Sequence, residues 1–203
     1  MKYPLILISA LLLAGCSVDY QTTSGAAYLA QGEIDDPDLR RAAAYEPTLH
    51  FPARIGVVKL VYGQISTTPS TERAAFAKTL EKVPGPLSHL GPLDAEMFGL
   101  NTNRWNRLDQ NDIRQLAASR HLDYVLIIAY NPSQNTAEAL FMDVRSGYPY
   151  ASAETAAQGH GSRNFWGGPL RNQSRIDAST LRLARKLAPE IAVMIDALAA
   201  RAN

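Results

Sequence analysis

Four histidines, His50, His89, His121 and His160, are the side chains best suited to moving protons or holding a metal ion. No two are spaced i, i+4, and no His-Glu-x-x-His string occurs, so no helix carries a zinc-binding pair. Their ordinary readings are a tether residue, a loop residue, a residue at a helix carboxyl end where the dipole favours it, and a residue in a glycine-rich loop. Gly159-His160-Gly161-Ser162 places a base two residues from a hydroxyl, the pair a nucleophilic hydrolase uses. The Gly-x-Ser-x-Gly elbow that would aim such a serine is absent. Asp123 and Asp143 flank two strands, where carboxylates either share acid/base work or, more commonly, close strand ends and turns. Gly147 completes an Asp-x-x-x-Gly turn after Asp143. Neither Gly-x-x-x-x-Gly-Lys nor Gly-x-Gly-x-x-Gly is present, so no phosphate loop or dinucleotide fingerprint is encoded. Phe165-Trp166-Gly167-Gly168-Pro169 has a different character. Two large aromatics in a glycine-rich loop suit contact with a partner; the alternative is that Trp166 folds back as a lid over the core.

The most defined chemistry belongs to Cys16, the only cysteine in the chain. It closes Leu13-Ala14-Gly15-Cys16, after an apolar run that begins behind Lys2. A cationic start, a short apolar stretch and small residues at a cleavage site are the parts of an export signal. This one resembles a bacterial lipoprotein signal, in which the thiol receives a diacylglycerol and cleavage leaves the cysteine as the first residue. The run from Leu5 to Ala14 is too short to span a bilayer, which takes roughly 20 apolar residues. Several acyl chains on Cys16 would hold the chain to a membrane surface, since one alone binds reversibly. Ser17, where an aspartate would retain such a protein in the inner membrane, points to the outer membrane, facing the periplasm. Using the thiol for lipid leaves none for a disulfide, a zinc site or a nucleophile. The expected cofactor set is therefore empty apart from the covalent lipid, and no metal is expected.

The formal net charge is +1, and Lys2 supplies it; the chain after residue 15 is neutral. A neutral domain offers no general attraction for nucleic acid. Arg182, Arg185 and Lys186 form a local basic group that reads as a solvated helix face.

The elements that must position these groups follow from periodicity. Residues 1–15 are the signal and 16–50 a largely flexible, lipidated tether, poor in aromatic and β-branched residues. Residues 51–203 form one domain. Arg54–Tyr62 and Asp123–Tyr130 are nearly continuous apolar runs, as expected of strands covered on both faces. Ser70–Val83 and Asn111–Leu122 predict helices between them. Leu87–Asp109 suggests short buried pieces between turns. Ala137–Val144 alternates, Arg145-Ser146-Gly147 reads as a hairpin turn, and Tyr148–Ala157 returns, with Pro149 best placed near an edge. Residues 159–172 read as a loop. A long helix from about Asp177 carries an apolar stripe through Leu181, Ala184, Ala188, Ile191, Ile195 and Leu198, with Pro189 expected to kink or break it. The sum is an α/β (α+β) fold: a single mixed sheet of about four strands with helices packed on it and a long carboxy-terminal helix.

Ile55-Gly56-Val57-Val58-Lys59-Leu60, Ile113-Arg114-Gln115-Leu116-Ala117, Asp123-Tyr124-Val125-Leu126-Ile127-Ile128 and Ala139–Gly147 leading into Tyr150-Ala151-Ser152-Ala153 follow the lipid signal in order. Over residues 55–157 this arrangement resembles the periplasmic α/β domains of envelope-assembly lipoproteins: activators of peptidoglycan synthases, the curli-secretion lipoprotein and the TolB amino-terminal domain. The stretch 84–100 and the Trp166 loop depart from that group. The resemblance implies a non-enzymatic docking domain for an envelope-assembly or secretion protein, with Asp123 opening a central strand. A periplasmic hydrolase, using His160 with Ser162 or Asp123 with Asp143, and a self-associating structural lipoprotein are the alternatives.

Overall fold

The computed structural model describes residues 20–21, 45–80, 87–93, 110–156 and 169–202. Cys16, His160, Ser162, Phe165 and Trp166, singled out above, lie outside these residues.

The fold is α+β, a mixed sheet with helices on both faces. Its strands are β1 (Tyr20–Gln21), β2 (Ala53–Val61), β3 (Gln64–Ile65), β4 (Leu87–Pro92), β5 (Tyr124–Asn131), β6 (Thr136–Asp143) and β7 (Pro149–Ala156). The described helices are α1 (Ser70–Leu80), α2 (Gln110–Ser119) and α3 (Pro169–Ala202). The strand order is β1-β7-β6-β5-β2-β3, with β4 also paired to β2. β2 and β5 run parallel, and β5, β6 and β7 form an antiparallel meander, as the two apolar runs and the alternating pair predict.

The seven strands among the described residues exceed the four expected by three. Tyr62 and Gly63 both have positive φ (53° and 75°), the geometry of a tight hairpin turn, and fold the two-residue β3 back on β2. β4 lies parallel to β2 in the stretch read as short buried pieces; the Gly91-Pro92 pair hides its strand character. β1 pairs with β7 from within the segment read as tether. Residues 45–50, grouped with the same tether, also lie against the domain, and Leu49 is buried.

The long helix begins at Pro169, earlier than Asp177, so residues 169–172 are helical and not loop. Pro189 does not end it. That residue is exposed, so water can reach the Arg185 carbonyl that the proline leaves without its usual donor. Pro149 stands beyond the reach of the short β1, next to a register shift between Phe141 and Met142.

Two cores flank the sheet. One face buries Ile55, Leu126, Ile128 and Phe141 against α1 and α3, whose contributions include Phe76, Leu183, Leu187, Ile191 and Ile195. The other buries Val58, Val125, Ile127 and Met142 with Ile113 and Ala117 of α2. Gly56 is fixed by this second face: a Cβ there would stand 2.6 Å from Leu122 Cδ1 and 2.8 Å from Leu93 Cδ1. No helix among the described residues is long and apolar enough to cross a membrane.

Candidate functional site

A cleft of about 760 Å³ opens at the end of the sheet where β2 and β5 begin; its lining includes Tyr45, His50, Asp123, Asp143, Arg145 and Ser146. Register builds it. Tyr124, first residue of β5, faces Asp143, last residue of β6, so the residues flanking them meet at one end. The Val144 amide donates to the Asp123 carbonyl (3.0 Å), tying the β6–β7 turn to the start of β5.

The two aspartates found in the sequence are therefore brought together, each with one oxygen engaged. Asp123 Oδ2 accepts from the Arg54 amide (2.8 Å) and so holds the start of β2 to the start of β5. Asp143 Oδ2 accepts from the Ser146 amide (2.5 Å) and the Ser146 hydroxyl (2.6 Å), an Asx-type closure of the hairpin. Gly147, at φ 79°, completes the turn. Arg114 explains why that position is tight. Its Nε donates to the Val144 carbonyl (2.9 Å) and its Nη2 to the Arg145 carbonyl (2.5 Å), and a Cβ on Gly147 would lie 3.1 Å from its Nη1.

The cleft's other wall is the segment 45–50, fastened by two phenols. The His50 amide donates to the Tyr124 hydroxyl (2.8 Å), and the Tyr150 hydroxyl donates to the Pro47 carbonyl (3.0 Å). Arg201 of α3 forms an ion pair with Glu46. The rings behind those hydroxyls form one cluster: Tyr124 lies 5.8 Å from Phe51, 5.0 Å from Phe141 and 5.8 Å from Tyr150. Such pairs add about 0.5–1.5 kcal/mol each beyond burial. Burial raises the Tyr124 pKa above 10.0, the bond from His50 lowers it in part, and the negative charges of Asp143 and Asp123 raise it further. Tyr150 is raised by burial and then by Asp143. Both phenols stay neutral. Tyr45, by contrast, is 76% exposed at the cleft mouth.

The remaining histidines are dispersed. His50 is at the cleft, His89 is on β4 opposite Arg54, and His121 sits exposed just past α2 in the left-handed region (φ 56°). Among the described residues no group of three or more His, Cys, Asp or Glu side chains is placed to hold a metal ion.

Sequence reasoning missed one polar centre. Lys59 of β2 is 3% exposed and pairs with Glu72 of α1, 1% exposed, at 2.6 Å. Lys59 Nζ also stands 5.4 Å from the Tyr130 ring centroid. The Tyr130 pKa is raised strongly, first by burial and then by the Glu72 charge. The signal was Lys59 within the apolar run Ile55–Val61, followed by a glutamate in the first turn of the next helix. Ser70-Thr71-Glu72 reads as helix caps, whereas the Glu72 side chain turns inward.

No protein-family model matches the chain, and no curated protein does. Among solved structures, it is similar to the PelC dodecamer from Paraburkholderia phytofirmans, at 19% identity and a TM-score of 0.36, covering 71% of this chain and 91% of that one. It is also similar to lipoprotein GNA1162 from Neisseria meningitidis, at 20% identity and a TM-score of 0.30, covering 67% of this chain and 99% of that one. Similarities this distant transfer neither an activity nor a partner.

Proposed function

We propose that the protein is a bacterial envelope lipoprotein, acylated on Cys16 and held at the outer membrane, whose α+β domain docks another envelope protein through the cleft between residues 45–50 and the β6–β7 turn. One observation carries the docking half of this reading. The strand-start cleft is lined by Tyr124, whose ring is backed by Phe51, Phe141 and Tyr150, and by the exposed Tyr45 and Arg145, while Asp123 and Asp143 each commit an oxygen to holding backbone. Exposed aromatics and arginines suit protein recognition. Carboxylate oxygens that accept from the Arg54 and Ser146 amides serve a strand end and a turn, the commoner use of such residues.

The test is photo-crosslinking in living cells with the probe at Arg145 and, separately, at Val193 on the exposed side of α3. The expected result is a discrete protein adduct from position 145 that Tyr45→Ala abolishes, and none from 193. Equal adducts from both positions, unaffected by Tyr45→Ala, would overturn the docking assignment.

A further inference from the structure

We infer that the opposite end of the sheet, where β7 ends beside the middle of α3, is the surface that rests on the membrane, seated on anionic headgroups by Arg182, Arg185 and Lys186. The inference rests on the acylation of Cys16 proposed above.

Chain length limits where the anchor can lie. Cys16 precedes Tyr20 by four residues, and four residues span at most about 14 Å. Tyr20 is not at the end of a long leash, because it pairs with Ala153 of β7, and Gln21 pairs with Ser152. The pairing is antiparallel, so stepping back from Gln21 to Tyr20 steps forward along β7, toward Ala156. The lipid-bearing residue is thus restricted to the neighbourhood of the carboxyl end of β7.

Charge points to the same end independently. Lys186 Nζ donates to the Ala156 carbonyl (3.4 Å), which places that part of α3 at the same end. Arg182, Arg185 and Lys186 are all exposed. From Pro169 to Lys186 the helix carries Arg171, Arg175, Arg182, Arg185 and Lys186 against Asp177 alone. From Leu187 to Ala202 it carries Glu190, Asp196 and Arg201, so the net positive charge lies in the first half. The nearest exposed carboxylate on β7, Glu154, follows Ala153 and therefore projects from the face of the sheet away from α3. A cationic surface beside an acyl anchor supplies the two signals that make membrane attachment stable.

Arg201, at the far end of α3, pairs with Glu46 at the cleft. The fifteen residues from Lys186 to Arg201 span about 22 Å of helix, close to the roughly 26 Å of an eight-residue strand such as β5. The cleft and the anchor therefore occupy opposite ends of the sheet, and the cleft faces away from the bilayer.

The experiment uses the full lipidated chain in phosphatidylcholine vesicles, with or without phosphatidylglycerol. A photo-crosslinking residue is placed at Ala178, exposed one turn before Arg182, or at Arg145. The acyl mass on Cys16 is measured in the same samples. The expected result is phospholipid adducts from 178 and none from 145, with the 178 yield higher in phosphatidylglycerol. Arg182→Gln, Arg185→Gln and Lys186→Gln should remove that gain, by roughly fivefold per charge. Phospholipid adducts from 145 as strong as from 178, in protein that carries the acyl mass, would overturn the orientation and leave the anchor standing. Equal 178 yields in both vesicles would overturn the headgroup attraction. Absence of the acyl mass would instead sink the lipoprotein reading.

Discussion

Glu72 and the pair Asp123 and Asp143 belong to the same sheet-and-helix assembly and do opposite work. Glu72 is sealed with Lys59 beneath α1, where desolvation cancels most of what the ion pair gains. Its charge also bears on the buried Tyr130 hydroxyl, whose pKa is raised first by burial and then by Glu72. Asp123 and Asp143 keep contact with water, and each uses one oxygen to fix backbone. The buried pair joins α1 to β2. The rim charges shape a surface and leave it open to a partner.

Breaking the sealed pair gives the largest expected effect. Lys59→Ala should cost about 3–5 kcal/mol in urea unfolding, because it leaves Glu72 buried and uncompensated. Lys59→Met combined with Glu72→Leu should return to within about 1 kcal/mol of the parent; a double variant as unstable as the single would show that the pair itself is stabilising. Asp143→Ala should cost about 1–2 kcal/mol and speed hydrogen exchange at the Ser146 amide. Tyr150→Phe should cost about 1 kcal/mol and loosen residues 47–50, read as faster exchange at His50 with β5 unchanged.

Glu138 sits between the two extremes and sharpens the contrast. It is half-buried and directly opposite Glu154, and its pKa is raised from 4.5 by burial and then by that neighbour. A raised carboxyl pKa means that folding favours the protonated form. Its contribution is present below pH 4.5 and lost as pH rises through the folded value. Glu138→Gln should therefore stabilise the protein at neutral pH by about 0.5 kcal/mol, and the gain should vanish below pH 4.5 in thermal unfolding.

The central strands were legible because β2 and β5 are nearly continuous apolar runs, and the β6–β7 hairpin because its alternation and Gly147 agree. β3 was not, because two residues carry no period and only the backbone angles of Tyr62 and Gly63 reveal the turn. β1 and the segment 45–50 escaped because polar, proline-containing stretches give no sign of docking when the partners are Ala153 or the Tyr124 hydroxyl, far away in sequence. The aspartates of the cleft were visible as strand-end residues. Arg114, which ties the turn through backbone carbonyls, was not, since carbonyl acceptors leave no mark on the sequence.

Tandem mass spectrometry of the amino-terminal peptide, from protein extracted from its native membranes, reads the state of Cys16 directly. The expected peptide begins at Cys16 and carries a diacylglyceryl thioether. A peptide that begins at Met1, or a Cys16 with a free thiol, would contradict acylation at Cys16.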